Sequence, residues 1–247
     1  MIIKGAFEKA RLYIESHSKD SDQQRAGKKQ GPCITISRET GAGADLVSEE
    51  LVKFFEPFSD EYSIPWTVFD KNLIEKVIED HHLPHKLNQY FVEDKLPELR
   101  ATVNELLGIH PPAWILINKT ASTIFQLAQK GNVIIVGRAA NIITAKLKNT
   151  FHIRLIASFD TRINHVEEVY NLNRKEAIEF TKKEDLARQN YFKKYFNKDI
   201  NDPLLYHMVM NTDNISYKKA AKMIGFAVLE KFQELFIINE ERLYKPV

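Results

Sequence analysis

A single cysteine, Cys33, among 247 residues excludes an intrachain disulfide framework and fits a reducing compartment. Charge of one sign is also missing. Lysine and arginine total 35 against 33 acidic residues, and a formal net charge of +2 is too weak for a general nucleic-acid binder. No apolar run approaches the roughly 18 residues that a membrane helix needs. The opening MIIKGAFEKARLYIESHSK carries charges throughout, unlike a signal peptide. No repeat period and no long low-complexity tract is visible. Cytoplasmic localisation, with neither membrane nor nucleic acid as a partner, is the expectation.

What is present is enough apolar sequence, 44%, for a sizeable core. Residues 4–17 read as an amphipathic helix and residues 18–31 as a polar, charged linker. The expected organisation is a helix and linker over 1–31 and one folded domain over 32–247. Short β-branched runs predict parallel strands at 33–37 (CITIS), 66–70 (WTVFD), 132–137 (NVIIVG) and 151–157 (FHIRLIA), the first of them central. YHMVMNT offers a fifth. Helical patterns follow the first strand (LVSEELVKFF), dominate 71–130 and about 160–196, and close the chain near 216–236. Breaks in 71–130 fall near Pro84, Pro97 and Pro111-Pro112. Strands alternating with helices predict an α/β fold, a parallel sheet with helices on both faces.

Ligands in such sheets bind at the carboxyl ends of the strands. Four strand ends carry charged or glycine-rich sequence: Arg38 to Asp45, Asp70, Arg138, and Ser158 to Arg162. The first reads Ser37-Arg38-Glu39-Thr40-Gly41-Ala42-Gly43-Ala44-Asp45-Leu46. A phosphate-binding loop needs glycines to turn amides inward, a lysine for the β- and γ-phosphates, and a hydroxyl for magnesium. Gly41 and Gly43 fit the turn. Ala44 stands where the lysine is expected, and Asp45 and Leu46 where the hydroxyl is expected. Taken alone, the loop fits a phosphate site and an ordinary strand–turn–helix corner equally. His81, His82 and His85 do not make a metal site, because Pro84 interrupts the helix they would need; no metal-ligating set is expected.

Several segments together are similar to the cytidylate kinase-like family of P-loop nucleoside monophosphate kinases. These are ITISRETGAG, VFDKNLIEKV, VIIVGRAANII, and KKEDLARQNYFKKYF followed by NDPLLYHMVMNT; the similarity runs over about 33–235. It implies a three-layer α/β/α P-loop kinase fold with a helical acceptor-binding insertion over 71–130 and a helical lid over about 160–196. It implies ATP and Mg²⁺ as cofactors and a nucleotide or small phosphorylated substrate as partner. The loop from Ser37 through Thr40, Gly41, Ala42, Gly43, Ala44 and Asp45 would cradle the donor phosphates. Arg138, Asp185 and Arg188 would serve the acceptor, and Arg162 stands at a lid-associated arginine. Members typically carry a basic residue after the loop glycines and another three positions after the lid arginine. Ala44-Asp45 and His165 stand there, which argues against fast turnover and not against the fold.

Arg38 either contacts phosphate or pairs with Glu39 or Asp70. Asp70 either holds magnesium through water, orients an acceptor hydroxyl, or caps the helix after it. Arg162, Asp185 and Arg188 lie on predicted helices, where charges usually face solvent. If the chain is active, Arg38, Arg162 and Arg188 neutralise charge at the transferred phosphoryl, and Arg138, Arg162 and Arg188 converge on one cleft. Two readings stand: a kinase passing the γ-phosphoryl of ATP to a phosphorylated acceptor, or a catalytically weak nucleotide-binding regulator. Neither the acceptor nor the oligomeric state can be read from the residues.

Overall fold

Five runs of β-branched and apolar residues become strands: Cys33–Arg38 (β1), Thr67–Phe69 (β2), Val133–Val136 (β3), Thr150–Ile156 (β4) and Met208–Asn211 (β5). The computed structural model describes residues 31–58, 65–70 and 112–236. The strands form one sheet in the order β2-β3-β1-β4-β5, with every pairing parallel. β1 is central, with Ile34 beside Ile134 on one side and Phe151 on the other. The strand ends differ from the sequence reading by one or two residues, and the fifth strand is real.

Between the strands run α1 (Ala44–Phe55), α2 (Pro112–Lys130), the one-turn α3 (Ala140–Ile143), α4 (Phe159–Tyr170) and α5 (Arg174–Phe196), and α6 (Tyr217–Lys231) follows the last strand. Pro112 opens α2 at a first helical position, where a missing N–H costs nothing. The helices expected over about 160–196 are two, α4 and α5. Asn171 ends α4 in the left-handed region at φ 53°, and α5 restarts on a capping box between Asn173 and Glu176. Residues 4–17, most of the 18–31 linker, and the part of 71–130 before Pro112 lie outside the described residues, as do His81, His82 and His85.

Strand alternation gives the sheet two different faces. On one, Ile34, Ile36, Ile134, Val136, Phe151, Ile153 and Leu155 pack against α1 and α6. On the other, Cys33, Phe69, Val133 and Ile135 meet Ile124, Leu127 and Ala128 of α2. Each fully buried side chain of this kind contributes roughly 1.5–3 kcal/mol. The second face turns polar toward β4, where Thr35, Ser37, His152 and Arg154 are all buried. Cys33 is buried, and burial pushes its thiol pKa up, which suits packing and not chemistry. No helix among the described residues is long and apolar enough to cross a membrane.

Candidate functional site

The turn after β1 is built on left-handed backbone. Gly41 has φ 83° and Gly43 φ 77°. A methyl group on Gly41 would overlap the backbone carbonyl of Arg162, so this position needs glycine for space as well as for conformation. Gly43 is the N-cap of α1, and no side chain caps the helix. Asp45 is exposed and does not fold back on the first turn. Ala42 N donates within the turn to Glu39 O at 3.2 Å, whereas the amides of Gly43, Ala44 and Asp45 donate to no group among the described residues. These amides at the start of a 12-residue helix form a surface suited to an anion. Ala44, which stands in place of a lysine, packs in the core at 5% exposure.

One part of the loop is already engaged by a carboxylate. Asp185, on α5, accepts from the Thr40 amide at 2.8 Å and from its hydroxyl at 2.7 Å through Oδ1. Arg188 donates to the same oxygen at 3.2 Å and to the Thr40 hydroxyl. Arg162 reaches Oδ2 at 2.6 Å, Thr40 O at 3.2 Å and Ala157 O at 3.2 Å, and pairs with Glu39 at 3.5 Å. Asp185 and Arg188, three residues apart on α5, present one helix face to the loop. An acidic group on one backbone amide, one hydroxyl and two guanidinium groups has the donor set a phosphate oxygen would want.

Beside this network lies a cavity of about 300 Å³ at the carboxyl ends of β1 and β3. Arg38, Arg138 and Arg188 line it from β1, from the turn after β3 and from α5, with Ser37, Asn141, Glu184 and Tyr191. Arg38 forms no ion pair among the described residues: Glu39 turns to Arg162 instead, and Asp45 and Asp70 act on Arg38 only through their charge. Burial first, and then the Arg188 guanidinium, pull the Arg38 pKa down to about 10. It stays charged at neutral pH in a site that disfavours the charge, as a site built for an anion would be. Burial raises the Tyr191 hydroxyl pKa, with Arg138 opposing.

The turn after β3 carries strain. Gly137 at φ 85° is followed by Arg138 at 53° and Ala139 at 54°, both left-handed without being glycine. Such residues cost of order 1–3 kcal/mol each and cluster at functional sites. Gly137 lacks the side chain that would collide with the Arg38 guanidinium, so the two strand ends lie close together.

Arg38, Arg138 and Arg188 are therefore brought to one cavity. Arg162, expected to converge with Arg138 and Arg188, is held on Thr40 O and Asp185 and does not line that cavity. Ser37 is buried and accepts from Arg154 at 3.1 Å and Tyr206 at 3.2 Å. Glu184 and Tyr191 escaped the sequence reading, although their spacing around Arg188, four before and three after, places them on its helix face. Asp70 follows β2 and is within electrostatic reach of Arg38. Among the described residues no three His, Cys, Asp or Glu side chains group to hold a metal.

The model of the cytidylate kinase-like family matches residues 33–214. A cytidylate kinase of Staphylothermus marinus is 26% identical over 113 residues, 46% of this chain and 60% of that protein. The chain thus spans less than two thirds of that relative's length. Among solved structures, an uncharacterised protein from Eubacterium ventriosum shares the fold with a TM-score of 0.60 at 20% identity, over 80% of this chain and 98% of that one. A shikimate kinase from Acinetobacter baumannii in complex with shikimate aligns at 12% identity with a TM-score of 0.43, over 84% and 98%. The family match runs from the first residue of β1 to just past β5 and takes in the glycine loop, the strained turn at Arg138 and the Asp185–Arg188 helix face; on this basis the chain has the P-loop kinase fold and belongs to the cytidylate kinase-like family.

Proposed function

We propose that this protein transfers the γ-phosphoryl group of ATP to a small phosphorylated acceptor, a nucleotide in the first instance. The observation that carries this reading is the convergence of Arg38, Arg138 and Arg188 on one cavity beside the glycine loop. Asp185 and Glu184 offset the charge of Arg188 in part, and an anion in the cavity adds to that offset.

In this mechanism the acceptor phosphate binds Arg38, Arg138 and Arg188, whose planar guanidinium groups suit its oxygens. The amides of Gly43, Ala44 and Asp45 hold the donor phosphates at the start of α1. Asp185 gives up Thr40 to a donor oxygen, and Arg162 and Arg188, until then on Asp185, turn their charge to the transferred group. α4 and α5 act as the lid that excludes water. Magnesium, when bound with ATP, supplies charge neutralisation at the β- and γ-phosphates. Among the described residues Asp45 and Asp70 supply carboxylates near Arg38, hard oxygen donors that fit this ion through its waters. Phosphoryl transfer needs little more than this alignment and neutralisation.

A second reading is favoured by Ala44. A core residue where a lysine is expected removes one cation from the donor site, and loss of one such stabiliser costs on the order of 10²–10³ in rate. The protein would then bind nucleotide and regulate without efficient transfer. The test is a phosphoryl-transfer screen with labelled ATP and magnesium over nucleoside monophosphates and other phosphorylated acceptors, for wild type and Arg138→Ala. Transfer to at least one acceptor, lost in the variant, supports the kinase. Variant-sensitive binding without transfer supports the regulator. Neither response, across the panel, rejects both.

A further inference from the structure

At the sheet edge opposite the glycine loop, the amino ends of β4 and β5 meet the last turn of α6. His207, just before β5, accepts from the backbone N–H of His152 through Nδ1 at 2.9 Å, and its Nε2 lies 2.7 Å from Nζ of Lys231. A backbone amide only donates, so Nδ1 must present its lone pair, and a neutral imidazole then carries its proton on Nε2. That N–H points at Nζ, which must accept it. An ammonium has no lone pair and an unprotonated amine does. Charging His207 instead would set an Nδ1–H against the His152 amide. The hydrogen-bond polarity of this corner thus opposes a charge on either group. An amine still has protons to give, and Lys231 donates one to Thr150 O at 3.2 Å.

The surroundings agree. No carboxylate forms an ion pair with Lys231 among the described residues. The titratable groups facing it are His207 from the loop before β5 and His152 behind it on β4. Burial is the first cause that lowers the pKa of both Lys231 and His207. The rings of Phe151 and Phe232, 5.6 and 5.3 Å from Nζ, would attract an ammonium, but neither offers an acceptor that resolves the clash of donors at Nε2. Lys231 is nonetheless exposed, so a reagent can reach it.

We propose that Lys231 is a nucleophilic amine and an acylation site for small activated carboxyl donors of the acyl phosphate class. The Nζ lone pair bonds to the carbonyl carbon, and the C–O bond to phosphate breaks. Phosphate leaves with that electron pair and takes up the proton the nitrogen loses. The product is a neutral amide.

Acetyl phosphate is the probe, with per-lysine acetylation of the full chain followed by mass spectrometry. Exposed Lys218 and Lys219 on the same helix serve as internal references. At pH 7 Lys231 should react faster than both, because burial lowers its pKa and leaves a larger share of it unprotonated. Its rate should level off with rising pH while the references still climb. His207→Phe keeps a ring stacked between Phe151 and His152 but removes both nitrogens, and should bring Lys231 toward the reference rate. Reference-like reactivity in wild type, a wild-type pH profile that rises in step with the references, or an undiminished advantage in folded His207→Phe would overturn the proposal. The wild-type profile decides the matter if that variant does not fold.

Discussion

The backbone amide of Thr40 donates at 2.8 Å to the carboxylate of Asp185, 145 residues later in the chain. A carboxylate on a loop amide, held also by Arg162 and Arg188, occupies a position that suits a phosphate oxygen. Asp185→Asn places an amide N–H against Arg162 and should cost about 2–4 kcal/mol, somewhat less than breaking a fully buried pair. It also removes the charge that competes with an anion. Inorganic phosphate should therefore raise the Tm of Asp185→Asn more than that of wild type. An equal or smaller shift in thermal unfolding would show that Asp185 does not compete for the loop.

Arg138 sits at φ 53°, where glycine is at ease and arginine is not. Arg138→Gly should leave stability unchanged or raise it by up to about 1 kcal/mol, while weakening binding of a phosphorylated ligand. Urea unfolding and calorimetric titration read the two effects separately. A marked loss of stability would mean that Arg138 is held for packing.

Gly41→Ala meets both a left-handed backbone and the carbonyl of Arg162. The conformation alone costs about 1–2 kcal/mol, and the overlap adds to it, so a loss of at least about 2 kcal/mol is expected. A loss under about 0.5 kcal/mol in chemical denaturation would show that the loop is free to shift and does not hold its amides in place.

Burial, the largest cause, holds the pKa of His152 at about 3, against 6.5 for its ordinary value. Its Nδ1 faces the Thr35 hydroxyl at 2.8 Å and its Nε2 that of Thr150 at 3.3 Å. Between those two pKa values the unfolded chain binds a proton that the folded chain refuses. This group's contribution is therefore complete above about pH 6.5 and falls by about 1.4 kcal/mol per unit as the pH drops toward 3. His152→Gln should unfold with a shallower pH slope than wild type between about pH 4 and 6. Identical slopes would place the acid sensitivity elsewhere.

The sheet was legible because VIIV at 133–136 is apolar on both faces, as a central parallel strand tends to be, and CITIS at 33–37 is a short buried run rich in β-branched residues. The place of Arg138 at the cavity was legible because it stands at the carboxyl end of a buried parallel strand. FHIRLI misleads in one respect. Its alternating His152 and Arg154 suggest a solvated face, yet both are buried, because Thr35, Ser37 and Asn201 supply their hydrogen bonds. Those partners come from β1 and from the segment after α5, which no local pattern connects. The Thr40–Asp185 contact was hidden for the same reason, since it depends on how α5 approaches the loop. The break between α4 and α5 did leave a local signal in Asn173 and Glu176, the spacing of a capping box.

The most direct test of the account is calorimetric titration of inorganic phosphate and a nucleoside monophosphate panel into wild type, Arg38→Ala, Arg138→Ala and Arg188→Ala at one fixed salt concentration. Lys175→Ala, at an exposed position on α5, is the control. A hydrogen bond to a charged group contributes about 1.5–3 kcal/mol. Each arginine variant should therefore bind at least one ligand about ten- to a hundredfold more weakly, and the control should match wild type. Affinities of Arg38→Ala and Arg138→Ala equal to wild type for every ligand would contradict the claim that this cavity holds a phosphate.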